Sequence, residues 1–126
     1  MIMAVHHGKW GGVVSMGTQG VSRYAAIYPQ ADVVLSGHTH DYWVVPKQMY
    51  HITVNSKAVL RQQYHVKTGT YKNEFQNGTG FAVEKIVTPK PMGSWWMTMS
   101  PRSTGVDIEF QMCQNKYNHN ENTRKV

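Results

Sequence analysis

The stretch ADVVLSGHTHD, residues 31–41, decides the fold of this chain. Its first five residues form an apolar run that predicts a strand buried on both faces. Gly37 then allows a sharp exit, and His-Thr-His projects two imidazoles from the loop. Because ligands of α/β proteins bind at the carboxyl ends of strands, this position favours a ligand site. Imidazole binds zinc, iron and nickel well, so His38 and His40 are candidate metal ligands.

A second histidine motif stands upstream of the first. The apolar run from Ile2 to Val5 predicts a strand that ends at His6, and a glycine-rich loop follows it. Residues 21–28 have helical spacing of apolar residues, and Pro29 helps to end that helix. A strand, loop, helix and strand form a crossover, whose two strands are parallel and end at the same edge. We therefore expect His6 or His7 to converge with the imidazoles at 38 and 40.

Beyond residue 41 the pattern is mostly β. Strands are expected over 42–45, 49–54, 58–67, 80–87, 94–99 and 106–112, with breaks that include Pro46, Asn55-Ser56, the hairpin dipeptide Asn77-Gly78, Pro101 and Gly105. The last residues, 114–126, are polar and charged and are expected to form a disordered tail. We interpret His51 and His65 as strand residues that face solvent or a neighbouring residue. Lys57, Arg61 and Lys67 are interpreted as a solvated β face, with a stripe that faces phosphate as the alternative. The four tryptophans are interpreted as packing residues.

Composition narrows the class of protein. The 126 residues correspond to one domain, and Val outnumbers Leu fifteen to two, which favours strands over helices. A single cysteine, Cys113, excludes an intrachain disulfide framework and a cysteine-rich zinc ribbon. No apolar run is long enough to span a membrane, and we expect a cytoplasmic protein without membrane partners. The formal charge of +6 suits an anionic partner, but it is modest.

The order of these motifs resembles the calcineurin-like metallophosphoesterase superfamily. The resemblance rests on a strand ending in His6-His-Gly8, a loop, a helix, and a strand ending in Gly37-His-Thr-His40, and it covers residues 1–45. The later stretches 43–46, 69–71 and 89–93 are similar to uncharacterised phage and bacterial members. The resemblance implies an α/β fold in which residues 1–113 form the C-terminal half of a four-layer αββα sandwich.

The resemblance also implies a site with two divalent metal ions, for which Mn, Fe, Zn and Ni are all candidates. By similarity His6 would bind the second metal, although His7 is an alternative ligand at that position. His38 would bind the same metal, and His40 would bind the first. His7 or Asp41 would assist protonation of the leaving group.

The family's Asp-x-His, Gly-Asp and Gly-Asn-His motifs should precede the strand that ends at His6, and they do not occur here. We therefore expect these carboxylates to come from a missing N-terminal half or from a partner chain. A bridging carboxylate offsets the charge of two dications, which neutral imidazoles do not. The isolated chain is expected to bind at most one metal ion weakly and to hydrolyse little.

Two functions follow from the sequence. The first is a metal-dependent phosphoesterase that cleaves phosphomonoesters or phosphodiesters through a metal-activated hydroxide, with a nucleic acid or nucleotide as a candidate substrate. The alternative is a non-catalytic, basic, β-rich module that binds nucleic acid or a protein partner. Chelator-sensitive hydrolysis distinguishes the first from salt-sensitive, chelator-insensitive binding by the second.

Overall fold

Six strands and one helix make up the part of the chain that the computed structural model describes, residues 1–11, 14–72 and 90–114. In chain order they are β1 (Met3–His6), α1 (Gly20–Ile27), β2 (Val33–Ser36), β3 (Tyr42–Ile52), β4 (Ala58–Thr68), β5 (Gly93–Arg102) and β6 (Gly105–Gln114). The protein is therefore rich in β structure, as the valine-rich composition indicates. Among the described residues, no helix is both long and apolar enough to cross a membrane.

The main sheet is mixed and has the strand order β1-β2-β4-β3. β1 and β2 are parallel, with Met3 opposite Val33 and His6 opposite Ser36. β4 is parallel to β2 and antiparallel to β3. The predicted crossover is thus confirmed, and β1, β2 and β4 all end at the same edge of the sheet. That edge carries the histidine motifs.

Helix α1 covers one face of the main sheet. Tyr24 and Ala25 are 2% and 5% exposed, which confirms the helical spacing in the sequence. Tyr24 forms a core cluster with Ala31 and Val34, against which Ala4 and Trp10 also pack. Burial of these side chains fixes the helix over β1 and β2, because most helix stability in proteins comes from packing of an apolar face.

The hairpin β5–β6 packs against the opposite face of the main sheet. One face of the hairpin, from Trp95 to Pro101 and from Val106 to Met112, is apolar and consists of Trp95, Met97, Met99, Pro101, Val106, Ile108, Phe110 and Met112. The Phe110 ring lies 5.2 Å from the Tyr64 ring on β4, and the Trp95 ring lies 4.6 Å from Tyr42 on β3. The predicted alternation of apolar and polar residues is therefore the contact pattern of this hairpin.

Pro46 does not break the strand, contrary to the sequence prediction. β3 runs through it, with Pro46 opposite Tyr64. β3 is an edge strand, so the missing N–H of a proline can lie on the open side of the strand. Pro101 likewise lies within β5, opposite Val106. The strand expected over 80–87, the Asn77-Gly78 turn and the tail from residue 115 onwards lie outside the described residues.

Candidate metal site

The two histidine motifs meet where β1 and β2 end. The Gly37 N–H donates a hydrogen bond of 3.1 Å to the His7 carbonyl, which joins the two loops directly. Gly8 has φ +101°, and a Cβ at this position would lie 2.7 Å from the Gly37 carbonyl oxygen. Only glycine combines this backbone angle with such a close approach. The predicted convergence of the two motifs is therefore seen in the backbone.

The turn after Gly37 has an uncommon backbone conformation. His38 and His40 both have left-handed φ angles, of 70° and 58°. Such angles are uncommon for residues other than glycine, although asparagine, aspartate and histidine adopt them more often than the rest, and each costs about 1–3 kcal/mol. The Thr39 N–H donates a 2.9 Å hydrogen bond to the Gly37 carbonyl and closes the turn. Backbone strain of this kind is frequent at functional sites.

His7 and His38 are in direct contact at this edge. The His7 Nε2 lies 3.1 Å from the His38 Nδ1, and the two rings meet edge to face with centroids 5.0 Å apart. Both side chains are exposed. In this contact one ring nitrogen donates and the other accepts, so at least one ring must be neutral at the facing nitrogen. The structure thus brings together two of the four predicted imidazoles.

His6 faces the helix. Its Nδ1 accepts a 2.8 Å hydrogen bond from the Gly8 N–H and lies 3.4 Å from the Tyr24 hydroxyl. A neutral imidazole whose Nδ1 accepts a hydrogen bond carries its proton on Nε2. The Nδ1 lone pair of His6 thus accepts the Gly8 N–H, and its Nε2 carries a proton. Neither nitrogen has a lone pair left for a metal ion. The geometry distinguishes His6 from His7, which the sequence does not.

Asp41, a candidate proton donor in the sequence, is 4% exposed and forms an ion pair with the Lys90 ammonium. Its backbone carbonyl accepts a 3.0 Å hydrogen bond from the Gly69 N–H. His40 is half-buried and has interactions of its own. Among the described residues, no three His, Cys, Asp or Glu side chains are grouped so as to hold a metal ion.

A buried lysine lies beneath the histidine turn. Lys67, on β4, is 1% exposed, and its Nζ donates a 3.0 Å hydrogen bond to the Gly37 carbonyl. Desolvation by burial lowers the pKa of Lys67, while the nearby Asp41 carboxylate opposes that shift. Two ammonium groups, from Lys67 and Lys90, thus flank one carboxylate. The histidine turn rests on a cluster whose formal charge is positive.

Gly17 closes this cluster from the side of the glycine-rich loop. A Cβ on Gly17 would lie 3.0 Å from Lys67 Cε, 3.1 Å from Thr39 Oγ1 and 3.3 Å from Asp41 Oδ2. The residue has φ +74°, so both its angle and its surroundings favour glycine. The Thr39 hydroxyl is buried and has no hydrogen-bond partner within the described structure. The loop between β1 and α1 thus packs closely under the turn.

The interpretation of Lys67 as part of a solvated β face was wrong. Lys67 shares one face of β4 with Gln63 and His65, and all three are at most 2% exposed. Because β4 lies inside the sheet and α1 covers that face, this polar stripe is buried. Three polar residues at every second position of an inner strand are the only sequence signal for it. His51, in contrast, is exposed, as the sequence predicts for a strand histidine.

Comparisons with protein-family models, with curated proteins and with solved structures found no match for this chain.

Proposed function

We propose that this chain supplies imidazole ligands to the metal centre of a phosphoesterase. The observation that carries the proposal is the contact of 3.1 Å between His7 Nε2 and His38 Nδ1 at the carboxyl edge of the parallel strands. His7 and His38 follow two strand ends, and His38 lies on the turn with left-handed backbone angles. This is the arrangement expected of ligands that are held in place before binding. On this proposal the main sheet is one half of a four-layer sandwich.

The distance between the two nitrogens fits joint coordination. Nitrogens bound to one ion at about 2.0–2.1 Å, in tetrahedral or octahedral geometry, lie about 2.9–3.4 Å apart. The observed separation of 3.1 Å falls in that range. His7 is therefore the better ligand of the upstream pair, since the Nδ1 of His6 already accepts the Gly8 N–H. The described structure does not group His40 with this pair, so the proposal rests on His7 and His38.

A bound divalent ion would activate water and neutralise charge on the attacked phosphate. The described residues support that chemistry in two ways. His7 and His38 would hold the ion, and the ammonium groups of Lys67 and Lys90 outnumber the single Asp41 carboxylate beneath the turn. This excess positive charge favours an anionic substrate. Because Asp41 is held in an ion pair and His7 serves as a metal ligand, we assign leaving-group protonation to neither of these residues.

Bridging carboxylates would have to come from outside the described residues, either from a second polypeptide segment or from a partner chain. The isolated chain is therefore expected to bind one divalent ion and to hydrolyse phosphodiesters slowly. Titration calorimetry with Zn²⁺ and Mn²⁺ tests the binding. Hydrolysis of bis(p-nitrophenyl) phosphate, with and without chelator, tests the chemistry.

Variants of single histidines test the ligand assignment. His7→Ala and His38→Ala are expected to weaken metal binding by about tenfold or more, by analogy with loss of groups around other metal sites. His6→Asn keeps an acceptor for the Gly8 N–H and should bind as the wild type does. His51→Ala is the matched control, because His51 is an exposed strand histidine. Loss of binding in His6→Asn with retention in His7→Ala would contradict the assignment.

A further inference from the structure

On the side of the molecule that carries α1, an exposed guanidinium lies over an indole ring. The Arg23 guanidinium lies over the Trp10 ring, 5.2 Å from its centroid. The Trp10 ring meets the Tyr24 ring edge to face at 5.0 Å, and the Tyr24 ring lies 5.3 Å from the His6 ring. Three successive contacts therefore link the Arg23 side chain to the histidine motif. The stack is adjacent to the candidate site.

The surroundings of this stack are basic. Residues 1–31, which form β1, the glycine-rich loop and α1, contain Lys9 and Arg23 but no Asp or Glu. Lys9 and Arg23 are both exposed. Lys47, on β3, adds a third cation, since its Nζ donates a 3.2 Å hydrogen bond to the Ser22 hydroxyl on α1. The side of the sheet that α1 covers is therefore positively charged.

The acidic residues that the structure describes lie elsewhere or are neutralised. Asp32 pairs with Arg61, Asp41 is buried against Lys90, and Asp107 pairs with Arg102 on the distant hairpin. Glu109 lies on the same hairpin, in β6. No described carboxylate therefore offsets the charge of Lys9 and Arg23.

We infer that Trp10 and Arg23 form a stacking subsite for single-stranded nucleic acid beside the histidine turn. A guanidinium plane held on an indole offers its outer face to a planar base, and such stacking is tolerant of sequence. The cations around it suit a polyanionic backbone. The inference rests on the proposed function in that it names the substrate class of the same site. A phosphopeptide would use the charges but would gain little from the planar stack.

Binding of a fluorescein-labelled oligothymidine, followed by fluorescence anisotropy in the presence of EDTA, tests this subsite. Arg23→Ala should weaken binding about tenfold, since stacking contributes about 1–3 kcal/mol per base. Arg23→Lys keeps the charge but loses the planar group, and it should lose most of the same affinity. Lys57→Ala is the matched control, because it removes one exposed cation from the turn between β3 and β4. It should change the affinity less than about twofold.

Three results would overturn the inference. One is the absence of binding at low salt, and another is an Arg23→Lys variant that binds as well as the wild type. The third is displacement of the oligonucleotide by heparin at equal charge concentration, which shows binding of polyanions in general. The chelator separates this test from that of the proposed function. Binding without metal-dependent hydrolysis supports the subsite and counts against the phosphoesterase, whereas hydrolysis of small esters without oligonucleotide binding does the reverse.

Discussion

At the scale of single residues, Gly8 is where one added methyl group should disturb the candidate site most. Its φ is +101°, and a Cβ would lie 2.7 Å from the Gly37 carbonyl oxygen. Gly8→Ala should therefore lower the free energy of unfolding by about 2–4 kcal/mol, from backbone strain and overpacking together. It should also separate His7 from His38 and weaken metal binding. Urea denaturation measures the stability, and calorimetry measures the binding.

Gly105 provides the control for Gly8→Ala. It also has a positive φ, of 149°, but a Cβ there would meet nothing within 4 Å. Gly105→Ala should cost only the backbone strain, about 1–3 kcal/mol, and leave metal binding unchanged. Equal losses of stability in the two variants would mean that the contact between the two loops contributes nothing beyond backbone strain.

His65 should make stability depend on pH. Burial, with a smaller effect of Lys47, lowers the pKa of His65 from 6.5 to about 4. The folded state therefore binds fewer protons than the unfolded state between these values, and stability is lost as pH falls from about 6.5 to 4. The loss amounts to about 3 kcal/mol at most. Urea denaturation of the wild type across this range measures it.

Replacement of His65 isolates its contribution. His65→Gln retains a donor for the Gln63 side chain but does not titrate, so its stability should change less between pH 6.5 and 4 than that of the wild type. His51→Gln, at an exposed strand position, should leave the dependence as it is. If the wild type and His65→Gln respond to pH identically, the folded protein does not hold His65 in its neutral form.

Part of the candidate site can be predicted from the sequence, residue by residue. The positions of His7 and His38 after apolar runs, together with the parallel crossover, are enough to place them at one edge. The choice between His6 and His7 is not predictable, because it depends on which imidazole the Gly8 N–H reaches. The burial of Lys67 is equally hidden, since it depends on β4 being an inner strand. Strand order is a property of long-range contacts, which no local pattern encodes.

At the scale of elements, β4 is held by a buried polar stripe as well as by its ladder. The Gln63 Nε2 donates hydrogen bonds of 2.8 Å to the carbonyls of Tyr28 and Ala31, and its Oε1 accepts one of 2.7 Å from His65. Since both amide hydrogens are used, the Gln63 oxygen must accept, and His65 must carry its proton on Nε2. This network joins β4 to the end of α1 and the start of β2.

Removal of the Gln63 amide should therefore destabilise the fold. Gln63→Met has a similar volume, but it takes the amide donor from the Ala31 carbonyl and the acceptor from the His65 imidazole, at a cost of about 2–4 kcal/mol. The Tyr28 carbonyl keeps the Ala31 N–H as a donor. Gln62→Met is the matched control, because Gln62 is the exposed neighbour on the same strand. It should change the free energy of unfolding by less than about 0.5 kcal/mol. Thermal and urea denaturation measure the free energy of unfolding of both variants. Similar losses of stability in Gln63→Met and Gln62→Met would contradict the role of the network.

The elements themselves were largely predictable, because they depend on local pattern. The helix expected over 21–28 occurs over Gly20–Ile27, and the strand expected over 58–67 occurs over Ala58–Thr68. The errors lay at two prolines. The sequence predicts two strands around Pro46 where the structure has one, and β5 includes Pro101, which the sequence predicts to break it. A proline ends a strand only where its missing N–H would face a neighbour, and that again depends on strand order.

At the scale of the whole molecule, the resemblance to half of a sandwich predicts exposed apolar surface. The sequence predicts this for residues 2–5 and 31–35. In the first segment Ile2 and Val5 are 52% and 74% exposed, but Met3 and Ala4 are half-buried and Ala4 packs against the core. For the second segment the prediction is wrong, because α1 and the neighbouring strands bury Ala31, Val33 and Val34 to 3% exposure or less. A larger exposed surface lies instead at the distal end of β3 and β4.

That distal surface should drive self-association of the isolated chain. Tyr50, Ile52 and Leu60 are 80%, 72% and 63% exposed, and they share one face, because Tyr50 pairs with Leu60 and Ile52 with Ala58. Burial of each large apolar side chain contributes about 1.5–3 kcal/mol, and contiguous patches of this kind mark sites of association. The sedimentation coefficient should therefore rise with protein concentration.

Leu60→Lys places a charge in the middle of this surface and should reduce the association while leaving the free energy of unfolding within about 0.5 kcal/mol. Val54→Lys is the matched control, since Val54 is fully exposed in the turn beyond Ile52 and the substitution adds the same charge. It should associate as the wild type does, because a residue outside the strands does not belong to the continuous face. If the wild type sediments as a monomer at all concentrations, the exposed apolar face does not cause self-association and the prediction is wrong. If both lysine variants reduce association equally, added net charge rather than the apolar face governs it.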